Sequence, residues 1–254
     1  MFIEERHKYI LEMLDRDGKV FVKDLSKEFK VSESMIRKDL QVLEKEDFLK
    51  RTYGGAIKRE RIIVNGESFL KRVGKNTELK EVIARKASEE VYDKDTIFLD
   101  ASSISYILAK ILIKSDREIT LITNMFEISS LIQLNSKINF IFIGGDYNAL
   151  VGGSVGSYAI DQIKLYRCNK AFIGCSGIDI KDGSVSVSES EDASTKRAVI
   201  SISRKRYLIA PNERFNMDGA FNFSNLKDID CIITEELPSE NIIEGLKEYG
   251  IGLI

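Results

Sequence analysis

The sequence predicts an α/β protein in two parts, a small helical part followed by a larger part with a mainly parallel sheet covered by helices. Three observations predict this arrangement. Residues 1–45 carry apolar side chains at helical spacing, residues 48–60 place extended-type residues around a Gly-Gly pair, and residues 76–254 alternate short apolar runs with helical stretches. With 254 residues, of which 43% are hydrophobic, the chain is long enough to bury two cores.

The first two helices are predicted from apolar side chains that recur on one helix face. The two sets are Ile3, His7, Ile10 and Leu14, ending at Asp17-Gly18, and then Val22, Leu25 and Phe29. His7 is the only histidine, and its place on the apolar face predicts a packed or boundary residue without a functional role.

A third helix is predicted to begin after Ser32, which is a natural N-cap. Ile36, Leu40 and Leu43 share its inward face. The opposite face carries the polar set Ser34, Arg37, Lys38 and Gln41. Three helices with a short turn before the last describe a helix-turn-helix motif.

The segment FLKRTYGGAIKRE, residues 48–60, is predicted to be a hairpin whose turn is formed by Gly54-Gly55, because glycine supplies positive φ. Residues 48–61 hold five basic residues and one acidic residue, so the hairpin is a small basic patch. A basic helix face alone is usually just solvated. A capped third helix followed by a basic hairpin instead favours a winged helix that binds DNA in the major groove and along the phosphate backbone.

Charge and composition exclude several other classes. Residues 1–61 hold 15 Lys and Arg against 13 Asp and Glu, so the first part is slightly basic. Residues 62–254 hold 23 against 27, so the second part is slightly acidic. Cys168, Cys175 and Cys231 are widely spaced and odd in number, which disfavours a disulfide framework or a zinc cluster. No apolar run is long enough for a membrane span and no secretion signal is present, so we expect a cytoplasmic protein without a membrane partner, a metal or a cofactor.

The second part alternates strands and helices in a way typical of a parallel sheet covered by helices. Strands are predicted at residues 96–100, 119–123, 138–144, 170–175, 206–210 and 231–234, and helices near residues 77–92, 103–114, 125–135, 157–166, 191–203 and 240–248. Residues 58–75 mix charge, Asn-Gly and Gly without periodicity and are predicted to be a linker that partly packs.

Several loops that follow these strands carry hydroxyls, small residues and free amides, which suit an anion site at the carboxyl end of a parallel sheet. These loops are Asp100-Ala101-Ser102-Ser103, Thr123-Asn124, Gly144-Gly145-Asp146 and Gly152-Gly153-Ser154-Val155-Gly156. Gly, Ser and Asn are also ordinary turn formers, so each loop alone says little. A Rossmann dinucleotide site is disfavoured because the glycine spacing does not match.

The N-terminal part resembles the DeoR family of bacterial transcriptional regulators. The resemblance rests on Val31-Ser32, on the run from Ile36 to Leu40, and on Arg51 shortly before Gly54-Gly55-Ala56. Met35 and Tyr53 replace the family's usual Thr and His. The resemblance and the helix face together imply the DNA-binding residues Ser32, Ser34, Met35, Arg37, Lys38, Gln41, Arg51, Tyr53, Gly54 and Gly55.

The same resemblance extends through the second part, which in that family is similar to ribose-5-phosphate isomerase and CoA-transferases and binds phosphorylated sugars or related metabolites. The motifs correspond here to residues 99–104, Thr123-Asn124, Gly144-Gly145 and 192–196. The implied effector-binding residues are Asp100, Ser102, Ser103, Thr123, Asn124, Gly144, Gly145, Gly156, Lys196 and Glu213.

Two departures from the family pattern bear on the effector. Ser102 and Ile104 replace a glycine and a hydroxyl residue, and Ala210 and Glu213 stand where the family keeps Asp and Lys. A carboxylate at Glu213 would repel a phosphate, so we expect common sugar phosphates to bind weakly and a less anionic or amine-bearing ligand, or none, to be sensed.

The sequence thus predicts a winged helix-turn-helix domain at residues 1–57, a linker at 58–75 and a sensing and oligomerisation domain at 76–254. We expect the protein to be a DNA-binding regulator that represses an operon of carbohydrate metabolism. Its partners are operator DNA, a small-molecule effector and further copies of the chain. Two alternatives stay open, a sensor domain that serves only as an oligomerisation platform and an isomerase- or deaminase-type enzyme; the latter would need a base and an electrophile such as Asp100 and Lys196. No catalytic residue is assigned.

Overall fold

A computed structural model of the chain describes residues 2–45, 48–58, 62–64, 66–132 and 137–254. The chain forms two compact units, Met1–Arg61 and Ile62–Ile254.

The first unit contains three helices and three strands in its described residues. These are α1 (Ile3–Asp17), β1 (Lys19–Phe21), α2 (Val22–Phe29), α3 (Glu33–Lys45), β2 (Leu49–Thr52) and β3 (Gly55–Lys58). The strands form an antiparallel sheet in the order β1-β3-β2. α1 ends at Gly18, which has a φ of 71°, and the N–H of Gly18 donates to the Leu14 carbonyl. The predicted helix-turn-helix with a hairpin wing is present.

The core of this unit shows one error in the predicted apolar face of α1. Ile3 is 51% exposed, whereas Arg6 is only 5% exposed and occupies the inward position one turn before Ile10. His7 is half-buried, as a boundary residue should be. The buried apolar residues are Ile10, Leu14, Val20, Val22, Leu25, Ile36, Leu40, Leu43, Leu49 and Ala56.

The hairpin turn also differs from its prediction. The turn residues are Tyr53 and Gly54, and only Gly54 has positive φ, at 87°. Gly55 begins β3, where a Cβ would lie 2.1 Å from the carbonyl oxygen of Val20 in β1. Gly55 is therefore needed for strand packing, and the turn requires glycine at position 54 alone.

The second unit is built on a parallel sheet. Its strands are β4 (Ile62–Ile63), β5 (Thr96–Leu99), β6 (Thr120–Thr123), β7 (Asn139–Phe142), β8 (Asp146–Asn148), β9 (Gly153–Val155), β10 (Cys168–Ile173), β11 (Gly177–Ile178), β12 (Ser184–Val187), β13 (Ser203–Ile209), β14 (Met217–Asp218), β15 (Phe221–Asn225), β16 (Cys231–Ile233) and β17 (Gly252–Leu253). Its helices are α4 (Phe69–Val73), α5 (Thr77–Glu89), α6 (Ser103–Ile113), α7 (Phe126–Ser129), α8 (Gly156–Lys164), α9 (Ser190–Ile202) and α10 (Glu240–Glu248), with 3-10 turns at Asn212–Asn216 and Leu226–Asp228.

The main sheet has the order β17-β16-β13-β10-β5-β6-β7, and every pairing in it is parallel. All six predicted strands lie in it, which confirms the predicted fold class. Successive strand residues enter opposite cores, as Phe98 packs in one hydrophobic cluster and its neighbours Ile97 and Leu99 pack in the other.

Several smaller elements lack a strong sequence pattern and were not predicted. These are the edge strand β17, the hairpin β8–β9, the antiparallel sheet β11-β12-β15 and the pairing of β4 with β14. The predicted linker contains α4. The predicted helix at 125–135 is the short α7, and residues 133–136 lie outside the described residues. Among the described residues, no helix is both long and apolar enough to cross a membrane.

Candidate DNA-binding surface and ligand cavity

α3 presents an exposed polar face in the first unit. Ser34, Arg37, Lys38 and Gln41 are all exposed, and Met35 beside them is 43% exposed. The helix is capped as predicted, because the Met35 N–H donates to the hydroxyl of Ser32 at 3.2 Å. Arg37 reaches back one turn to Glu33, with Nη2 to Oε2 at 2.9 Å. This face can therefore donate hydrogen bonds to base edges or phosphates.

The wing lies next to this face. Tyr53 at its tip is completely exposed. Arg51 in β2 is held by Glu44 of α3, with Arg51 Nε to Glu44 Oε2 at 2.6 Å and the Arg51 N–H to Oε1 at 2.9 Å. A groove of about 360 Å³ runs between α3 and the wing, and its lining includes Arg37, Glu44, Arg51, Gly54 and Gly55. Most of the predicted DNA-binding residues thus share one surface.

A buried ion pair fixes α3 against α1. The guanidinium of Arg6 donates to both carboxylate oxygens of Asp39, at 2.7 and 2.9 Å, and Asp39 is only 2% exposed. His7 Nε2 lies 3.4 Å from Asp39 Oδ1 but makes no hydrogen bond with it. The side chain of Asp39 therefore sets the position of the helix that carries the polar face.

The second unit has a cavity where its chain order reverses. From β5 the chain runs outward through β6 and β7 and then continues on the other side of β5 with β10, β13 and β16. Ligands of open α/β sheets bind at the carboxyl ends of strands at such a switch point. A cavity of about 70 Å³ lies there, lined by residues 101–104 after β5, 174–175 after β10, and Ile209 and Pro211 at the end of β13, together with Arg72, Lys80, Val187, Asp192, Lys196 and Arg214.

A buried carboxylate forms the base of this site. Asp100 is 2% exposed and accepts from Ser105 Oγ at 2.6 Å, from the Gly174 N–H at 2.7 Å and from the ammonium of Lys196. Lys196 Nζ also lies 3.4 Å from Asp192 Oδ1. Burial lowers the pKa of Lys196, but the charges of Asp100 and Asp192 outweigh it and raise that pKa overall. Lys196 therefore stays protonated.

Three further cations, Arg72, Lys80 and Arg214, face the same cavity. Arg72 of α4 donates from Nη2 to the carbonyls of Val151 at 2.6 Å and Ala101 at 3.3 Å, while its Nε has no hydrogen-bond partner among the described residues. Lys80 of α5 is 6% exposed and donates to the Arg72 carbonyl. Its pKa is lowered to about 8 by burial and then by the charges of Arg214 and Arg72. The cavity can therefore attract an anion.

The structure brings only part of the predicted effector set together. Ser102, Ser103 and Lys196 line the cavity, and Asp100 supports it. Five predicted residues lie outside the lining, at the ends of β6 and β7 on the other side of β5 or at the start of α8: Thr123, Asn124, Gly144, Gly145 and Gly156.

Thr123 and Asn124 instead have structural contacts. Thr123 Oγ1 accepts from the Met125 N–H at 3.0 Å, and Asn124 Nδ2 donates to the Ser154 carbonyl at 2.9 Å. Both side chains are essentially inaccessible. Asn124 holds β9 against the loop after β6, and Thr123 stabilises that loop itself.

The expectation for Glu213 needs correction. Glu213 does not line the cavity and lies 3.5 Å from the guanidinium of its neighbour Arg214, whose side chain does line it. The turn Asn212–Asn216 is a 3-10 helix, so adjacent residues point in different directions. The cation Arg214 therefore lines the cavity at this turn, while the Glu213 carboxylate lies outside the lining, close enough for its charge to oppose the lowering of the Lys80 pKa.

Comparison with known families identifies the chain. The family model described as the DeoR C terminal sensor domain matches residues 75–236, and that described as the DeoR-like helix-turn-helix domain matches residues 6–61. The chain belongs to the DeoR family. It is a DNA-binding transcriptional regulator, which confirms the predicted family and regulatory role.

DeoR-family relatives match over nearly the whole chain. The glycerol-3-phosphate regulon repressor of Escherichia coli (strain K12) is 28% identical, covering 98% of this chain and 97% of the relative. The L-fucose operon activator of Haemophilus influenzae is 30% identical, covering 97% of each. Among solved structures, ribose 5 phosphate isomerase A from Neisseria gonorrhoeae is 18% identical, with a TM-score of 0.38, over 54% of this chain and 52% of that chain.

The sequence did contain one signal for a missed cavity residue of this DeoR-family chain. Lys80 falls on the buried face of α5, together with Ile83, Ala84 and Ala87. A lysine on an apolar helix face is unusual unless it has a partner or a function. Arg72 and Arg214 had no comparable signal, because they lie in short elements without periodicity.

Proposed function

We propose that this DeoR-family protein represses an operon of carbohydrate metabolism and releases or changes its DNA binding when a phosphorylated sugar or related anionic metabolite enters the cavity. The observation that carries the proposal is the positive lining of the cavity. Arg72, Lys80, Lys196 and Arg214 outnumber Asp192 and the underlying Asp100. The two relatives, a repressor of the glycerol-3-phosphate regulon and an activator of the L-fucose operon, support the class of operon.

The size of the cavity limits what part of the ligand it holds. A volume of about 70 Å³ holds several water molecules or one phosphate group. Pockets for whole metabolites are typically about 300–1,000 Å³. The phosphate is therefore the part of the ligand that the four cations hold.

An enzymatic role is less well supported than sensing. Lys196 is locked between Asp100 and Asp192 and stays protonated, so it cannot act as a base, and Asp100 already accepts three hydrogen bonds. Cys175 lines the cavity, but burial raises the pKa of its thiol to about 12, so it is not a nucleophile at neutral pH. These contacts suit binding rather than turnover.

Two cations of the cavity are connected to β4 and α4, the first elements of the second unit in the chain. Arg72 lies on α4, and Arg214 Nη1 lies 3.2 Å from the Met217 sulfur in β14. β14 pairs with β4, and the Val64 N–H donates to the Asp218 carbonyl at 2.7 Å. An anion that attracts Arg72 or Arg214 would act directly on this segment. These contacts support a domain that transmits ligand binding, against a sensor domain that only oligomerises.

The first prediction tests DNA binding by α3. An Arg37→Ala, Lys38→Ala double variant should lose at least about 1–3 kcal/mol of operator binding free energy, because the two side chains lie on the exposed face of the recognition helix. The measurement is fluorescence anisotropy with a duplex selected from a random pool by the native protein. A Lys8→Ala, Arg16→Ala variant removes the same charge from exposed positions of α1 and should bind nearly normally. Equal binding by both double variants would contradict the assignment.

We also infer that at least two copies act together, because one winged helix reads a short site and paired half-sites supply most of the specificity. Light scattering of the native protein on the selected duplex counts the chains per DNA. One chain per duplex under tight binding would contradict this inference.

A second prediction concerns pH. Lys80 has a folded pKa of about 8, so its ammonium is present at pH 7 and mostly lost at pH 9. If a bound phosphate requires that charge, the dissociation constant of glycerol 3-phosphate should rise about tenfold between pH 7 and pH 9. Titration calorimetry at several pH values measures this. Lys80→Met should bind more weakly at pH 7 and show almost no change up to pH 9, whereas an unchanged slope in this variant would show that another group is responsible.

A further inference from the structure

The polar face of the recognition helix continues one turn beyond Gln41, to a carboxylate. Glu44 follows Arg37 and Gln41 at helical spacing and lines the groove between α3 and the wing. An acidic side chain beside a DNA-binding groove repels phosphate, so its presence there calls for an explanation. The Arg51 guanidinium lowers the pKa of the Glu44 carboxyl through their hydrogen bond, and the carboxyl is therefore ionised at neutral pH.

The contacts of Glu44 provide that explanation. One carboxylate oxygen accepts from the Arg51 backbone N–H at 2.9 Å, and the other accepts from Arg51 Nε at 2.6 Å. The carboxylate thus fixes both the strand β2 and the side chain that projects from it. The described residues offer no partner to the two terminal nitrogens of Arg51, which stay available to an acceptor on DNA.

We propose that Glu44 is a positioning residue for operator recognition, which orients Arg51 so that its terminal nitrogens meet a backbone phosphate beside the bases that α3 reads. A guanidinium has a planar, fixed set of donors, so holding Nε determines the direction of the other two nitrogens. The arrangement also connects the wing to the recognition helix, since Arg51 lies in β2 and Glu44 in α3.

The sign of the effect of removing Glu44 distinguishes positioning from simple electrostatics. If the carboxylate acts only through its charge, its removal reduces repulsion and strengthens binding to any DNA. If it orients Arg51, its removal weakens binding to the operator, while binding to unrelated DNA stays unchanged or becomes tighter. The two roles therefore predict opposite changes on the operator.

The experiment uses full-length Glu44→Ala and Glu44→Gln variants, with the duplex selected from a random pool by the native protein and a scrambled duplex of equal composition. Glu44→Ala should bind the selected duplex about tenfold more weakly, and its salt dependence should fall by about one phosphate contact. The scrambled duplex should be bound at least as well as by the native protein. Glu44→Gln keeps one acceptor oxygen, so its affinity for the selected duplex should fall between those of the native protein and Glu44→Ala. Alanine favours helix, so α3 should persist, and circular dichroism checks this.

Three further variants complete the test. Glu12→Gln removes an exposed carboxylate from α1 and controls for net charge. Arg51→Ala should reproduce the loss seen in Glu44→Ala, and the double variant should lose no more than either alone, because both remove the same contact. Unchanged or tighter operator binding by Glu44→Ala, or additive losses in the double variant, would overturn the proposal.

Discussion

Asp39→Ala should abolish DNA binding by unfolding or loosening the first unit, at a cost of about 3–5 kcal/mol, because it leaves the guanidinium of Arg6 buried without its carboxylate. Asp39 is buried and does not belong to the exposed polar face of α3. The expected loss of DNA binding therefore arises from a change in the position of the helix. Hydrogen exchange measured on peptides from α1 and α3 should show protection reduced by a hundredfold or more.

Two variants make this prediction specific. Asp24→Ala changes an exposed aspartate of α2 and should leave exchange and DNA binding nearly unchanged. An Arg6→Met, Asp39→Leu variant replaces the pair by apolar side chains and should recover much of the lost stability, because no unpaired charge remains buried. Normal protection in Asp39→Ala would show that the pair does not hold the helices together.

Lys196→Ala should strongly destabilise the second unit. The substitution leaves Asp100 and Asp192 without the ammonium that lies between them, and an unpaired buried charge costs about 3–5 kcal/mol. We therefore expect faster hydrogen exchange in α9 and in the loop after β5. Since the folded pKa of Lys196 is raised, the native stabilisation is complete throughout neutral pH and is lost only in strong alkali.

The control for this change is Lys164→Ala, which removes an exposed lysine from the last turn of α8. It should alter stability by less than about 0.5 kcal/mol. The Lys196 variant should also lose phosphate binding. If Lys196→Ala were as stable as Lys164→Ala at neutral pH, the buried charges would have to be compensated by other groups.

Periodicity was sufficient to predict the long elements of this fold. The alternation of apolar runs located every strand from β5 to β16 in the main sheet, because strands covered on both sides need continuous apolar residues. β17, with two residues, and α4, with five, show no such run of apolar residues. They form because the surrounding chain provides their hydrogen bonds and their packing.

The cavity was harder to predict than the fold because its charges come from distant parts of the chain. The loop after β5 was predicted from its residues, but Arg72, Lys80 and Arg214 come from a supposed linker, a helix face and a 3-10 turn. Matching the sequence to the family motif places Glu213 at the cavity, whereas the structure places its neighbour Arg214 there. The sign of the expected charge is therefore inverted.

A charged residue on an apolar helix face was nevertheless a usable signal. Arg6, Asp39 and Lys80 each occupy such a position, and each is at least nine-tenths buried. The first two pair with each other, while Lys80 faces the cavity. A charged residue at such a position indicates a buried partner or a ligand. By this rule the ion pair of the first unit and one cation of the second are predictable from the sequence.

The cavity of the second unit is too small for the whole of a sugar phosphate, and this has a thermodynamic consequence for signalling. With its phosphate in the cavity, the proposed effector would leave its remaining atoms outside the lining, where they can contact one conformer of the surrounding loops better than another. Only that difference in affinity would shift the conformational equilibrium and so couple the ligand to DNA binding. Inorganic phosphate has no such atoms, so it would occupy the site and shift the equilibrium less.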